Sequence, residues 1–411
     1  MPRQYSPKTF LRQAPNALLR RYLQKHEIGE DLPWDHLPET EIDLVFKTIE
    51  AAPETMRRRI DRDLREIYEM ADEGGVKTLI EEGREPVHSL YLAETLGEMK
   101  GHLERAFWVF LEHPKVFAVA QQFHHADHLT ARSWRKRKDL PPAEPSTDAH
   151  SSQRLADVIS AYYRQKEGRG RGCQVDHYRR GDRLYWFAYP EDYAEGRLIY
   201  DEQHRLLLQT QRPAFEVIFV HDPKEQSLDL FARGDRRTVG DLQRVFGRAI
   251  LGVELEDPEA PEATYELNGL LSRDFPFSLD PRDGVEQVRV RRLRLGIMGR
   301  EYKRITLEAN VRDNPKAIYG LLDDVLAGQR IPRDLLTVVG VNLQMAFRAV
   351  AGNRSRTLSF DVSYPDSCSL KYDPKHETAK ALLKRWGIDG SGRTQKDPAS
   401  RRRPVQLHNR V

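Results

Sequence analysis

The chain of 411 residues contains only two cysteines, Cys173 and Cys368, which are far apart and form no CxxC pair. This scarcity excludes a disulfide framework and a zinc site with three or four cysteine ligands. Because few cysteines are typical of a reducing compartment, we expect a cytoplasmic protein. The sequence also has no run of 18 apolar residues and no secretory leader within residues 1–23, so we expect no membrane partner.

Common catalytic loops are absent as well. The sequence has no GxxxxGK[ST] phosphate-binding loop, no GxGxxG motif after an apolar strand and no GxSxG nucleophile turn. The glycine-rich stretch at residues 168–172 lacks the preceding apolar strand that a dinucleotide site requires. These absences favour a non-catalytic protein without an organic cofactor.

Charge is nearly balanced overall but unevenly distributed. The chain has 66 lysines and arginines against 63 acidic residues, a net charge of +3. Residues 1–120 carry 17 basic and 22 acidic side chains, whereas residues 391–411 carry six basic and one acidic. Because local clusters of positive charge bind polyanions, the basic segments are candidate binding sites.

Apolar spacing predicts an α+β protein. Residues 1–138 show apolar residues three and four apart, which is the helical period and predicts an all-α domain. A proline-rich linker follows at 139–153. A mixed, mostly antiparallel α+β domain is expected at 154–389, and a disordered basic tail at 390–411.

The α+β region has two halves, at 173–255 and 263–389. Each half contains a predicted hairpin followed by an amphipathic helix. Whether the two halves are an internal duplication is left open by the sequence.

The first candidate site is a histidine cluster near residue 125. On a helix, His124, Asp127 and His128 would share one face, and two imidazoles four residues apart can bind one divalent metal such as zinc. Asp127 would be the third ligand or a general base, and His150 or His177 could add a further ligand. The alternative is a helix face on which His124 and Asp127 simply pair.

The second candidate is a basic stretch that contains a tryptophan and closes the fifth predicted helix. Lysine and arginine neutralise phosphates, and an indole ring can stack on an unpaired base, so this segment is a candidate nucleic-acid contact. The alternative is that these cations only complement the helix dipole. The candidate residues are Arg132, Trp134, Arg135, Lys136, Arg137 and Lys138.

The third candidate is an arginine row on a predicted strand. Strict alternation fails at Arg291 and Arg292, and one extra residue there, a β-bulge, would restore it. Arg289, Arg291 or Arg292, and Arg294 would then face away from the core and could follow phosphates. The alternative is a solvated face paired with acidic neighbours. Arg169 and Arg171 would add two cations in a flexible glycine-rich loop.

Together these features favour a nucleic-acid-binding accessory subunit of a cytosolic multi-protein system, whose acidic helical domain docks a protein partner. Defence against foreign DNA is one setting that suits such a subunit, although no residue specifies it.

One alternative is a metal-dependent hydrolase or nuclease that uses the histidine cluster. A nuclease of the restriction type would carry an acidic residue followed two positions later by a lysine. Asp222-Pro223-Lys224 and Asp373-Pro374-Lys375 match this pattern, but the central proline favours turns. The other alternative is a protein–protein scaffold.

Overall fold

A computed structural model describes the chain in nine segments. Helices dominate the N-terminal part and most strands lie in the C-terminal part, so the predicted α+β class is confirmed. Residues 391–411, most of the predicted basic tail, lie outside the described residues. Among those described, no helix is both long and apolar enough to cross a membrane. The described segments are 5–130, 133–138, 140–201, 203, 205–256, 264–298, 303–348, 356–371 and 374–390.

The α-helices are numbered in chain order. The first eight are α1 (Pro7–Leu11), α2 (Asn16–Gln24), α3 (Asp43–Glu50), α4 (Glu54–Glu69), α5 (Glu73–Gly83), α6 (Leu92–Gly97), α7 (His102–Glu112) and α8 (Pro114–His128). The other four are α9 (Ala149–Glu167), α10 (Arg236–Phe246), α11 (Ala317–Gln329) and α12 (Pro374–Arg385).

The strands begin after α8. The first seven are β1 (Trp134–Arg137), β2 (Cys173–Arg180), β3 (Arg183–Pro190), β4 (Glu195–Tyr200), β5 (Leu206–Gln211), β6 (Val217–Asp222) and β7 (Ser227–Phe231). The last five are β8 (Val285–Ile297), β9 (Lys303–Glu308), β10 (Leu336–Phe347), β11 (Thr357–Ser363) and β12 (Ser367–Cys368).

The chain divides into two compact units. The first unit contains Met1–Leu129, Pro141–Gln226 and Leu230–Glu254, and therefore holds both the N-terminal helices and strands β2 to β6. The second unit contains Thr130–Leu140, Ser227–Asp229 and Leu255–Val411.

The helical period predicted for the N-terminal residues is confirmed up to His128, and the described residues of this part form eight helices. Ser6 caps α1 and Pro7 occupies its first turn, where the missing amide costs nothing, and Pro114 does the same for α8. Gly74 and Gly75 lie in the first turn of α5, although glycine is a poor helix former. That turn forms because the carboxylate of Asp72 accepts the Gly75 amide at 2.7 Å.

The sheet of the first unit is built on a hairpin. Strands β2 and β3 pair antiparallel as predicted, and β3 pairs with β6 on its other side. Behind this sheet the indole of Trp186 meets the Phe246 ring edge-on at 5.1 Å, and Phe219 stacks on Phe246 at 5.0 Å. These fully buried rings fix α10 against the sheet.

A second hairpin, β4–β5, was not predicted from the sequence. Leu198 pairs with Leu208 and Tyr200 with Leu206, so the four side chains share one face of the hairpin. All four are 55–70% exposed. The hairpin therefore presents an apolar face to solvent.

The second unit contains a five-stranded sheet in the order β12-β11-β10-β8-β9. The predicted bulge in β8 is confirmed, because Arg292 pairs with Asn342 and Val290 with Leu343, which leaves Arg291 as the extra residue. Buried side chains from β8, β10 and β11 cover one face of this sheet, and α11 and α12 pack there. The other face carries the polar side chains.

Candidate functional sites

The basic stretch before the linker does not close a helix. Helix α8 ends at His128, and the stretch forms strand β1, so the predicted helical end at Lys138 is wrong. The backbone explains the difference: the amide of Lys136 donates to the carbonyl oxygen of Asp366 at 3.0 Å, which places β1 beside the segment that leads into β12. Arg132 lies outside the described residues.

The cations of β1 and its end are engaged within the protein. Arg135 lies 3.7 Å from a carboxylate oxygen of Asp366, and Lys138 forms an ion pair with Asp389. The side chain of Lys136 is 12% exposed and lies 4.0 Å from Asp229. Arg137 donates to a backbone carbonyl, and Trp134 is half-buried. This stretch therefore offers phosphate groups little accessible positive charge.

The glycine-rich loop after α9 holds one engaged and one exposed arginine. Arg169 is 16% exposed, forms ion pairs with Glu167 and Asp192 at 2.6 and 2.8 Å, and lies over the Phe215 ring at 4.0 Å. Arg171 is exposed. Of the two predicted contacts, Arg169 therefore has a structural role and Arg171 remains accessible.

The arginine row of β8 has a different environment. Arg289, Arg292 and Arg294 pair with Gln344, Asn342 and Gly340, which alternate along β10, so all three arginines lie on one face of the sheet. This face is the polar one, opposite the helices. The orientation predicted from the sequence is therefore confirmed for Arg289 and Arg294. Of the two alternatives Arg291 and Arg292, the structure selects Arg292, and Arg291 is the exposed bulge residue.

Two arginines of the row have neutral partners. Within the described part of the chain, Arg289 donates to the amide oxygen of Gln287 at 3.0 Å and Arg294 to the hydroxyl of Ser363 at 3.2 Å. Arg292, by contrast, forms an ion pair with Asp361 at 2.6 Å. The charges of Arg289 and Arg294 are therefore not neutralised by a carboxylate of the described chain.

The polar face has an excess of positive charge. Strand β9 continues it with Arg304, Thr306 and Glu308, all of them exposed. Together with the row on β8 and Asp361 on β11, the described strand residues of this face include four arginines and two carboxylates. Such a surface attracts polyanions.

The histidine cluster lies in the first unit, where the C-terminal end of α8 meets the start of α5. Nε2 of His124 lies 3.3 Å from Oδ1 of Asp72, and the His124 and His128 rings are 4.3 Å apart between centroids. One ligand atom from each of Asp72, His124 and His128 lies within 4.8 Å of the other two. The two predicted histidines are therefore brought together with a carboxylate that sequence reasoning missed.

Asp127, the predicted third ligand, has another role. Its Oδ2 accepts a hydrogen bond from Nη1 of Arg180 at 2.9 Å, and the same guanidinium donates to Glu81 at 3.1 Å. A carboxylate in this ion-pair network stabilises the end of α8 and is not part of the histidine cluster. The other ligands considered from the sequence, His150 and His177, are not in the cluster either.

Asp72 could not be identified from spacing because 52 residues separate it from His124. The available local signal was an aspartate directly before a helix, which indicates an N-cap and nothing more. Hydrogen bonds from the His124 ring and from the Gly75 amide hold the pKa of the Asp72 carboxyl well below its usual range, against the opposing effect of burial. Asp72 is therefore an ionised carboxylate at neutral pH.

The nuclease alternative finds no support at Asp222. This side chain accepts the backbone amides of Lys224 and Glu225 at 3.0 and 3.1 Å, and it also accepts from Arg183. These contacts are those of a turn, as the central proline indicated. Asp373 lies outside the described residues.

Comparison with known proteins does not assign the chain to a group. No protein-family model matches the sequence, and no curated protein matches it.

Proposed function

We propose that this protein binds nucleic acid through the polar face of the β8–β11 sheet, as an accessory component without a catalytic role of its own. The observation that supports this best is that Arg289 and Arg294 lie on one sheet face and have, among the described residues, neutral partners only. A guanidinium without an acidic partner gains from contact with a phosphate and gives up no ion pair.

The geometry suits contact with the phosphate backbone. Neighbouring residues on one side of a strand are about 7 Å apart, so the row presents its charges at regular intervals along the strand. The face has no aromatic side chain among Arg289, Arg292, Arg294 and their neighbours on β10. Base stacking would therefore contribute little here, and we expect binding to be largely independent of sequence.

The proposal shifts the expected contact within the chain. From the sequence, residues 132–138 and the arginine row of β8 were both candidate nucleic-acid contacts. The cations described at 132–138, however, bind carboxylates and carbonyl oxygens of the protein. We therefore expect β8 to contribute more to binding than β1. The helical part of the chain would dock a protein partner, as its negative charge suggested.

Fluorescence anisotropy over a salt series tests the proposal. Labelled single-stranded DNA, duplex DNA and RNA would be titrated with the wild-type protein and with the double variant Arg289→Gln/Arg294→Gln. We expect wild-type affinity to fall steeply with salt, and the slope of log K against log salt to decrease by about one for each arginine removed.

A charge-matched control separates local contact from overall charge. Arg20→Gln/Arg21→Gln removes the same charge from exposed positions on α2 in the first unit. We expect this variant to keep the wild-type slope. The proposal is wrong if no nucleic acid binds at low salt, or if both double variants change the slope equally.

A further inference from the structure

The cluster of Asp72, His124 and His128 has the donor set of a transition-metal site. Two imidazole nitrogens and one carboxylate oxygen suit zinc and neighbouring divalent transition metals, whereas magnesium and calcium prefer oxygen ligands only. One donor atom comes from Asp72, the residue that caps α5, and two come from α8, and each lies within 4.8 Å of the other two. We propose that this cluster binds one divalent transition metal of the zinc class.

The distances agree with this assignment. With bonds of about 2.0–2.1 Å, two ligands of a tetrahedral metal lie roughly 3.4 Å apart. Nε2 of His124 and Oδ1 of Asp72 are already 3.3 Å apart. All three ligand atoms lie within 4.8 Å of one another, so the His128 nitrogen needs to approach by at most about 1.4 Å, a distance that a side-chain rotation can cover.

The surroundings orient two of the three ligands. Nδ1 of His128 lies 2.7 Å from the carbonyl oxygen of His124, and a carbonyl oxygen can only accept, so Nδ1 donates this hydrogen bond. Metal-binding histidines commonly make such a contact with a backbone carbonyl. Asp72 is held by its cap bond to Gly75, and a carboxylate retains further lone pairs for a metal.

The site is open on one side. The Asp72 side chain is 53% exposed and that of His124 is 12% exposed. Three protein ligands and an exposed edge leave one coordination position for water, in contrast to a structural zinc site with four protein ligands. The metal would also connect the start of α5 to the end of α8.

Metal titration of the purified, tag-free protein tests the inference. The protein would be stripped with a chelator, and zinc binding would be followed by competition with a chromogenic chelator. Cobalt(II) would be added separately to record visible absorption. We expect one zinc per chain, a cobalt spectrum with nitrogen and oxygen ligands, and no competition from a large excess of magnesium.

Substitutions identify the ligands. We expect Asp72→Asn to weaken zinc binding at least tenfold, and His124→Asn/His128→Asn to abolish binding at the single site. Asparagine also caps helices, so Asp72→Asn retains the start of α5. Circular dichroism of each metal-free variant would verify that it is folded.

The control is the neighbouring histidine. His125 lies on the same helix but contacts Glu216 at 2.7 Å and is not part of the cluster. His125→Asn should therefore bind zinc as the wild type does. The inference is overturned if zinc does not bind stoichiometrically, if the cluster variants bind within a factor of three of the wild type, or if His125→Asn loses binding to the same extent.

Discussion

Arg180 and Asp127 form an ion pair with 2.9 Å between Nη1 and Oδ2, and only 10% of the arginine side chain and 14% of the aspartate side chain are exposed. Glu81 contacts the same guanidinium at 3.1 Å, and the Phe123 ring lies beneath it at 5.4 Å. The pair joins the end of α8 to strand β2. It also explains why Asp127 does not join His124 and His128.

The first prediction concerns this ion pair. Arg180→Met should reduce the free energy of unfolding by about 3–5 kcal/mol, because Asp127 would remain largely buried without its counter-charge. Urea denaturation followed by tryptophan fluorescence would measure the change. Arg179→Met, at the exposed neighbouring position, should change it by no more than about 0.5 kcal/mol. Equal effects at the two positions would contradict a structural role for the pair.

The second prediction concerns a buried carboxyl in the first unit. Glu82 is 5% exposed, and burial raises its pKa to about 7, with further contributions from the nearby Glu85 and an opposing one from Arg180. The folded state therefore holds this proton more tightly than the unfolded state. The resulting loss of stability begins as the pH rises above about 4.5 and is complete above about 7.

Glu82→Gln removes this pH-dependent loss. The shift corresponds to roughly 3 kcal/mol, so the variant should be more stable than the wild type at pH 8 and should lose this advantage towards pH 5. Urea denaturation at pH 5, 6, 7 and 8 would show it, with the exposed Glu94→Gln as control. A constant difference across the four pH values would refute the assignment.

The third prediction concerns the bulge in β8. Arg291 is the extra residue, its side chain is 47% exposed, and its contact is a surface ion pair with Glu308. Arg291→Ala should therefore cost at most about 1 kcal/mol. Leu293→Ala should cost about 2–5 kcal/mol, because this side chain is fully buried in the core of the second unit. Similar costs at both positions would mean that the register of β8 is different.

The sequence predicted those elements whose formation is local. The helical period predicted the helical N-terminal part, because apolar residues three and four apart lie on one side of a helix. Alternation in β8 located the bulge, since side chains change faces at each residue of a strand. The sequence thereby also predicted the orientation of Arg289 and Arg294, and the structure decided between Arg291 and Arg292.

Other features required contacts between distant parts of the chain. The segment at 134–137 looked like a basic helix end because β7, its neighbour in the sheet, lies about 90 residues later in the chain, and because Asp366, which accepts the Lys136 amide, lies later still. Hairpin β4–β5 was missed, since Leu206, Leu207 and Leu208 form a run without the alternation expected of a strand. In both cases the hydrogen bonds that define a strand come from another segment, which local spacing does not reveal.

In the candidate sites, too, some features follow from local spacing and others from contacts between distant segments. The sequence by itself determined that His124 and His128 share a helix face and that the β8 arginines point away from the core, because both follow from backbone periodicity. The tertiary structure decided that Asp72 completes the histidine cluster, that Asp127 binds Arg180, and that Lys138 binds Asp389. Which charged groups meet depends on how the helices and strands pack, and packing brings together residues whose separation along the chain carries no information about it.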